Sequence, residues 1–262
     1  MKQKKSNRWW FYMLGSSGGK FINRQTMCLY LPETTLIDAG NIFALPQDKL
    51  LDIENIILTH SHLDHLIDIP FLIDYSYTLR ERPLKIYGLP QTLETFRKNI
   101  MNWDVWPEFG SLKLPLTEEY AIEYIELYSE RQIEIDGYSI LPLMSNHTVP
   151  TLSLVVKREG RGFVYTSDTH RNPRLWSLIE EDHQIKLVIV DVSFPSYMAK
   201  VAYASLHHTP QSLKEDLSLL KRKNVKVYAV HLKPAYEVEI LEELQSLNRK
   251  VVPLLGKRKI KV

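Results

Sequence analysis

The chain has 262 residues, 33 basic and 31 acidic side chains, and a formal net charge of +2. With 44% hydrophobic and 24% charged residues it is long enough to bury a substantial core, which excludes an intrinsically disordered chain. The near-neutral charge excludes a protein that binds polyanions by bulk charge alone, and the single cysteine excludes a disulfide framework or a thiolate metal cage.

Short apolar runs rich in β-branched and aromatic residues predict strands along the whole chain. These runs lie at residues 9–14, 27–30, 35–37, 56–58, 84–87, 122–127, 139–143, 153–156, 162–166, 187–192 and 225–230. Helical patterns interrupt them at residues 90–99, 173–181, 210–221 and 236–247. No repeat or linker divides the sequence, so we expect one domain over residues 1–262, with sheets packed face to face and covered by helices.

The two ends of the sequence are basic. The apolar run that follows the basic residues 1–8 is too short for a signal-peptide core, and no segment reaches the roughly 20 apolar residues of a membrane span. We therefore expect a cytoplasmic protein with no membrane partner, in which Cys28 is reduced and buried. The basic segment 257–261 is interpreted as a solvated tail, with contact to nucleic acid as the alternative.

The most informative segment is His60-Ser61-His62-Leu63-Asp64-His65, which follows the predicted strand at residues 56–58. In a core each of these polar groups would need its own partner, whereas neutral imidazole and carboxylate oxygen are ordinary ligands of divalent cations. Side chains two apart in an extended segment point the same way, so His60 and His62 can share one ion. Asp64 and His65 project elsewhere and can serve a second ion. A solvated histidine-rich loop is the alternative.

Three more candidate ligands follow later predicted strands: His147, Asp168 and His231. Segments at strand ends on one rim of a sheet converge in space, which favours a shared site. Taken alone, His147 or His231 would more often be a hydrogen-bonded structural histidine. The complete set of seven is enough for two ions that share a carboxylate and a water. The same donor types accept Zn²⁺, Mn²⁺ or Fe²⁺.

The H-x-H-x-D-H run, followed by His147, Asp168 and His231, resembles the metallo-β-lactamase superfamily over essentially the whole chain. The resemblance implies an α/β (α+β) fold, the four-layer αββα sandwich, and two divalent metal ions, most often Zn²⁺. By this resemblance, His60, His62 and His147 would hold the first ion. The second ion would be held by Asp64, His65 and His231, and Asp168 would bridge the two ions. Where the family usually has glycine before the bridging aspartate, this chain has Ser167. It has Asp68 where glycine often follows the motif.

Three further segments narrow the resemblance within that superfamily: residues 15–19 (G-S-S-G-G), 191–195 (D-V-S-F-P) and 207–210 (H-H-T-P). Together with residues 62–65 (H-L-D-H) and 231–234 (H-L-K-P), they resemble the class II cyclic-nucleotide phosphodiesterases. This resemblance implies hydrolysis of 3′,5′-cyclic nucleotides to 5′-monophosphates by a metal-bound hydroxide. Asp64 would orient or accept a proton, and His207, paired with Asp191, would protonate the leaving 3′-oxygen. His208 is adjacent and is the alternative donor. We also predict His208 and Lys233 as substrate contacts, with a solvated lysine as the alternative for Lys233.

Two other features have two interpretations each. The glycine-rich segment 15–19 either lets the backbone approach a phosphate group or forms an ordinary tight turn. Aromatic side chains between residues 75 and 109 either form a lid that stacks on a base or pack in the core. These side chains are Tyr75, Tyr77, Trp103, Trp106 and Phe109.

The sequence leaves three functions open. The first is the cyclic-nucleotide phosphodiesterase, a homodimer acting on a small molecule. The second is a tRNA 3′-end processing endonuclease similar to ribonuclease Z, for which nucleic acid would be the partner. The absence from the sequence of a long, basic, glycine-rich insertion and the modest net charge argue against it. The third is a non-catalytic metal-binding or sensor protein with the same fold.

Overall fold

In this computed structural model the described residues, 9–262, form fourteen β-strands and seven α-helices. The basic segment 1–8 lies outside the described residues. The strands are β1 (Trp10–Gly15), β2 (Cys28–Leu31), β3 (Thr35–Ile37), β4 (Asn55–Ile57), β5 (Leu84–Gly88), β6 (Ile122–Glu126), β7 (Ile133–Ile135), β8 (Tyr138–Met144), β9 (Leu152–Arg158), β10 (Arg161–Tyr165), β11 (Ile185–Asp191), β12 (Lys226–Val230), β13 (Val251–Pro253) and β14 (Arg258–Lys261). The helices are α1 (Gln47–Leu50), α2 (Ile69–Ser76), α3 (Pro90–Asn99), α4 (Pro173–Glu181), α5 (Ala199–Ala204), α6 (Pro210–Leu217) and α7 (Glu237–Gln245).

The strands of the described residues form two mixed sheets of seven strands each, in the orders β14-β1-β2-β3-β4-β5-β6 and β13-β12-β11-β10-β9-β8-β7. Strands β3 to β6 run parallel in the first sheet, and strands β10 to β13 run parallel in the second. The remaining pairs are antiparallel. Parallel neighbours end at the same edge, so the loops after β3 and β4 lie together, as do those after β10, β11 and β12.

Three hydrophobic clusters separate four layers. One lies between the two sheets and includes Phe11 of β1 and Phe163 of β10, whose rings stack with centroids 4.4 Å apart. A second packs α2 and α3 on the outer face of the first sheet, and a third packs α4, α6 and α7 on the outer face of the second. The predicted α/β class and αββα sandwich are therefore confirmed. Within residues 9–262, no helix combines the length and the apolar content needed to cross a membrane.

Each of the eleven predicted strands coincides with an observed strand to within two residues at either end. The four predicted helices are present, and Asn172 caps the start of α4, because its side chain accepts a hydrogen bond from the Leu175 amide. Buried Cys28 is also as predicted. The prediction of a solvated tail is correct only for the side chains of Lys257, Arg258 and Lys259, which are exposed. The backbone is not a tail, since residues 258–261 form the edge strand β14 beside β1. The pattern hid this strand because, among the residues of β14, only Ile260 is buried.

We expect the change Phe163→Ala to lower the free energy of unfolding by about 3–5 kcal/mol, because it opens a cavity between the sheets. Urea denaturation measures this loss. The matched control is Phe21→Ala, whose side chain is 66% exposed and whose effect should stay within about 0.5 kcal/mol. Equal effects of the two changes would contradict the assignment of this core.

Candidate metal centre

The seven predicted ligands lie together at the edge of the sandwich where loops from both sheets meet. Their donor atoms form two groups in which all atoms lie within 4.8 Å of one another: His60, His62, His147 and Asp168; and Asp64, His65 and His231. A third group of the same kind joins two of the ligands to two other residues: Asp168 and His231 to Asp191 and His207. The structure thus also brings the predicted proton-donor pair, Asp191 and His207, to the same centre. Metal binding by these residues stays a prediction.

The donor atoms of the first group lie close enough together to share one cation. The Nε2 atoms of His60 and His147 lie 3.6 and 3.8 Å from Oδ2 of Asp168. Nε2 of His147 lies 3.2 Å from Nδ1 of His62. Three imidazole nitrogens and a carboxylate oxygen suit a catalytic cation, and a fully or partly buried setting keeps water from competing for them.

The second group shares Asp168 with the first. Oδ2 of Asp64 lies 3.2 Å from Nε2 of His231 and 3.9 Å from Nε2 of His65. Oδ1 of Asp168 lies 3.4 Å from Nε2 of His65, and its Oδ2 lies 3.3 Å from Nε2 of His231. The two oxygens of one carboxylate therefore face both groups, as a bridging ligand requires.

Unpaired polar atoms show that divalent cations fit this site. The buried side-chain atoms without a hydrogen-bond partner include Nε2 of His60, Nε2 of His65 and Oδ1 of Asp168. An unpaired buried polar atom costs about 1–3 kcal/mol. Three such atoms directed into one space indicate a ligand, and nitrogen and oxygen donors suit a divalent cation.

The protonation of the site also suits metal binding. Burial lowers the pKa of His60 and His62, which favours the neutral rings that ligands require. Burial alone would raise the pKa of Asp168, but the charges of His231 and His65 outweigh it and hold this pKa well below its usual value. Asp168 is therefore a carboxylate whenever the site is assembled.

Protein partners fix the orientation of the rings. Nδ1 of His65 donates to Oδ2 of Asp38 at 2.7 Å, and Nδ1 of His147 donates to the carbonyl of Leu206 at 3.2 Å. In the neutral ring, each of these bonds keeps the proton on Nδ1 and leaves the Nε2 lone pair directed into the centre. Burial lowers the pKa of His65, but the charges of Asp168 and Asp38 outweigh it and raise this pKa, so a cation has to displace the Nε2 proton of His65. Such outer partners hold the tautomer and the angle of a metal-binding histidine.

Asp38 is a site residue that the sequence analysis missed. It is fully buried at the end of β3 and also accepts hydrogen bonds from the Thr59 amide, 2.9 Å, and the Tyr165 hydroxyl, 3.0 Å. Its φ of +57° lies in the left-handed region. A lone acidic residue directly after an apolar strand, at the same edge as His60, was the available signal.

Ser167 replaces the glycine that the family usually has before the bridging aspartate. Its φ is +54°, in the left-handed region that favours glycine. The Ser167 hydroxyl donates to Oγ1 of Thr59 at 2.8 Å, which holds this conformation. The other departure, Asp68, accepts a hydrogen bond from the Ile42 amide at 2.8 Å and contributes to loop packing.

The glycine-rich segment supports His231. The His231 amide donates to the Ser16 carbonyl at 2.7 Å, and the Gly18 amide donates to the Leu232 carbonyl at 3.1 Å. A Cβ atom at Gly18 would lie 2.4 Å from the His231 carbonyl oxygen and 2.8 Å from its Nδ1. The glycine is thus needed for close approach to a ligand residue, whose own φ is +65°.

The predicted proton-donor pair, Asp191 and His207, is joined to His231, a predicted ligand, through Ser193. Nδ1 of His207 donates to Oδ2 of Asp191 at 2.7 Å. The Ser193 hydroxyl donates to Oδ1 of the same carboxylate at 2.6 Å and accepts from Nδ1 of His231 at 2.8 Å. Burial lowers the pKa of His207, but the charge and hydrogen bond of Asp191 outweigh it and raise the pKa above its usual value. The sequence analysis included Ser193 in the segment 191–195 but gave it no role of its own.

His207 and His208 occupy different environments. The His207 ring stacks on the His231 ring at 5.1 Å and lies 5.0 Å from the His147 ring, so it faces the centre. His208 is fully buried, and its Nδ1 is hydrogen-bonded to Oγ of Ser212 at 2.9 Å. Burial lowers the pKa of His208 to about 4. This geometry favours His207 as the donor, while the predicted substrate contact of His208 stays a prediction.

The other predicted contacts have protein partners. Nζ of Lys233 donates to the Gly18 carbonyl at 2.7 Å, and its charge lies near enough to act on the pKa of His207. Its contact with substrate stays a prediction. Among the candidate lid aromatics, Phe109 is buried and three others pack against the cluster under α2 and α3: Tyr75, Tyr77 and Trp106. Core packing therefore explains these four, and only Trp103, 61% exposed, stands apart from them.

The fold and the site define a hydrolase class in which loops of two facing sheets hold the catalytic groups. Residues 34–254 match the family described as a β-lactamase superfamily domain. The chain belongs to that family, the metallo-β-lactamase superfamily.

Similar proteins include two curated relatives. A 3′,5′-cyclic-nucleotide phosphodiesterase from Aliivibrio fischeri is 28% identical over 189 residues, which cover 66% of this chain and 55% of that protein. A ribonuclease Z from Methanococcus maripaludis is 30% identical over 109 residues, 41% of this chain and 32% of that protein. The chain thus spans about half of the first relative and a third of the second. Unliganded yeast PDE1 superposes with a TM-score of 0.79 at 17% identity, over 97% of this chain and 99% of that one.

We expect Asp38→Asn to weaken divalent-metal binding by about 10-fold to 100-fold, because the neutral amide no longer holds the His65 ring by charge. Asparagine tolerates the left-handed backbone of this position. Competition with a chromogenic chelator for Zn²⁺ or Co²⁺ measures the affinity. Asp74→Asn, an exposed acid on α2, is the control and should bind like wild type. Unchanged affinity in folded Asp38→Asn would remove Asp38 from the centre.

Proposed function

We propose that this protein is a dinuclear, metal-dependent phosphodiesterase that opens 3′,5′-cyclic nucleotides to 5′-monophosphates. The observation that carries the proposal is the Asp191–His207 pair beside two groups of ligands bridged by Asp168. Opening a cyclic phosphodiester expels a strongly basic 3′-alkoxide, and a histidine held by a carboxylate beside the centre can protonate it. The similarity to a cyclic-nucleotide phosphodiesterase supports this substrate class.

The proposed ligands would hold the cations as the sequence predicts. His60, His62 and His147 would bind one, Asp64, His65 and His231 the other, and Asp168 both. Two bound divalent cations, with Zn²⁺ the first candidate, neutralise charge on the phosphate and make a water acidic enough to react near neutral pH. We include the whole of residues 1–262 in one hydrolase domain, because both sheets contribute ligands. The homodimer and the cytoplasmic location stay predictions.

The chain's own groups divide the proton transfers. Asp64 carries the one ligand carboxylate at the open side of the centre, with 26% of its side chain exposed, so it can orient or accept the proton of the attacking water. His207 donates a proton from Nε2 to the leaving 3′-oxygen while Asp191 holds Nδ1–H. Asp191 thereby stabilises the protonated ring before the transfer and fixes its direction.

A tRNA 3′-end processing endonuclease is the second candidate. The similarity to ribonuclease Z supports it, and the same pair of residues could protonate the leaving oxygen of an RNA chain. The third candidate, a non-catalytic metal-binding or sensor protein, has less support, because the proposed ligand set and donor pair are both assembled.

We expect His207→Ala to reduce kcat for cyclic AMP by about 10²-fold to 10⁴-fold, because the 3′-alkoxide must be protonated as it leaves. Hydrolysis of bis-p-nitrophenyl phosphate should fall far less, since nitrophenolate leaves without a proton. Steady-state assays with both substrates separate a donor from a residue that only supports the fold. The companion variant is His208→Ala. If it abolishes turnover of cyclic AMP while His207→Ala leaves it intact, the assignment is wrong.

A substrate panel with Zn²⁺ or Mn²⁺ tests the substrate class. We expect release of AMP from 3′,5′-cyclic AMP and no processing of a precursor tRNA. Cleavage of the tRNA alone, with a steep dependence on salt, would replace the leading proposal by the endonuclease. A protein that holds two metal ions and hydrolyses neither substrate nor bis-p-nitrophenyl phosphate would be the non-catalytic member.

A further inference from the structure

The outer face of the first sheet carries an aromatic and basic surface at strands β14 and β1. We name it the Trp10 surface, and it consists of Trp10, the partly buried Tyr12, Lys259 and Lys261. Tyr30 of β2 lies beside Tyr12 but is buried in the cluster on this face of the sheet. The strand register pairs Trp10 with Lys261, and Tyr12 with both Lys259 and Tyr30. Residues of β1 and β14 that alternate with them belong to the core between the sheets, so the Trp10 surface faces outward.

The aromatic rings and the ammonium groups are interleaved. Nζ of Lys259 lies 4.7 Å from the Trp10 ring and 5.5 Å from the Tyr12 ring, and Nζ of Lys261 lies 5.0 Å from the Trp10 ring. The Tyr12 and Tyr30 rings lie 6.0 Å apart. Trp10 is 40% exposed, so part of its ring is accessible to a partner.

Positive charge continues from this surface around the end of the second sheet. Lys261 also lines a cavity of about 310 Å³ whose other cationic residues are Arg161, Lys186 and Lys226. Beside Tyr12 and Tyr30, on the opposite side, lies a cavity of about 380 Å³. Two lysines line this second cavity together with one carboxylate, that of Glu33.

We propose that the Trp10 surface binds single-stranded nucleic acid. Bases stack on Trp10 and Tyr12, and phosphates pair with Lys259, Lys261 and the basic cavity beside Lys261. Aromatic rings interleaved with cations are what a single strand requires, since every base has a π-face and every nucleotide a negative charge. The Trp10 surface lies at the first residues of β1, whereas the segment after the last residue of β1 contacts His231 of the metal centre. The surface is therefore separate from the centre, and binding there is a different activity from hydrolysis of a small cyclic nucleotide.

Neither protection of the sheet edge nor attraction to a membrane accounts for the whole surface. Lysines on an edge strand such as β14 prevent the strand from pairing with a second chain. This protection would explain Lys259 and Lys261 but not the exposed ring of Trp10. An anionic membrane would attract the lysines, but a flat bilayer does not enter the 310 Å³ cavity that continues the charge. An arriving base must displace an ammonium from the Trp10 ring. The exchange is favourable because stacking of a base is stronger than an exposed cation–π contact, and the released ammonium can pair with a phosphate.

The test is fluorescence anisotropy of the full chain with a labelled 12-nucleotide oligouridylate over a range of salt concentrations. We expect wild type to bind, and Trp10→Ala to weaken binding by about tenfold. The double variant Lys259→Ala/Lys261→Ala should also reduce the slope of log K against log salt by about 1.4, since two phosphate contacts are lost. Lys98→Ala, an exposed lysine of α3, is the matched control and should bind like wild type.

Three results would overturn the proposal: no binding by wild type at low salt, the same loss in Lys98→Ala, or Trp10-dependent binding of phosphatidylserine vesicles without binding of the oligonucleotide. Circular dichroism checks that the variants are folded. Hydrolysis of bis-p-nitrophenyl phosphate should be unchanged in all of them, because none of these side chains lies in the metal centre. Failure of the cyclic AMP assay would leave the binding result standing, so the two proposals fail separately.

Discussion

The desolvated carboxylate of Asp168 is the constraint on which the rest of the site depends. It is 2% exposed and lies within 4 Å of four imidazole rings that come from three separate loops. Protein hydrogen bonds do not satisfy all of these groups, since one oxygen of Asp168 and two of the ring nitrogens have no partner. Burying so many polar atoms is costly unless something else binds them. The hydrogen bonds that orient the rings direct these unpaired atoms into one space. A group bound in that space would offset the cost of burying them.

The backbone around the centre is shaped for the same purpose. Asp38, Ser167 and His231 each come shortly after a strand at this edge, and each has a positive φ. For residues other than glycine this conformation costs about 1–2 kcal/mol. Hydrogen bonds at each position offset the cost: those that Asp38 accepts, the bond from Ser167 to Thr59, and the bond from the His231 amide to the Ser16 carbonyl. The turns then aim side chains from parallel strands at one point.

The sequence predicted the features whose pattern lies within one short segment, and it missed those that depend on contacts between distant segments. The strand pattern and the dense motif at residues 60–65 are local, so the fold and the ligand candidates were accessible. The pairing of His207 with Asp191 came from a resemblance, and the 2.7 Å bond agrees with it. Ser193 and Gly18 lie in segments that the sequence analysis selected, but their roles were not accessible, because these roles arise from contacts with His231, which is distant in sequence. Strand β14 was missed for a related reason: its one buried residue, Ile260, gives no periodic pattern.

The origin of the ligands has a mechanical consequence. The motif at residues 60–65 follows β4 of the first sheet, whereas Asp168 and His231 follow β10 and β12 of the second. Ions held by both sets would act as a cross-link between the two halves of the sandwich at one end. Binding to the folded chain alone also adds to stability by mass action. With ions bound in this way, a substitution that weakens their binding would also lower the resistance of the whole fold to unfolding.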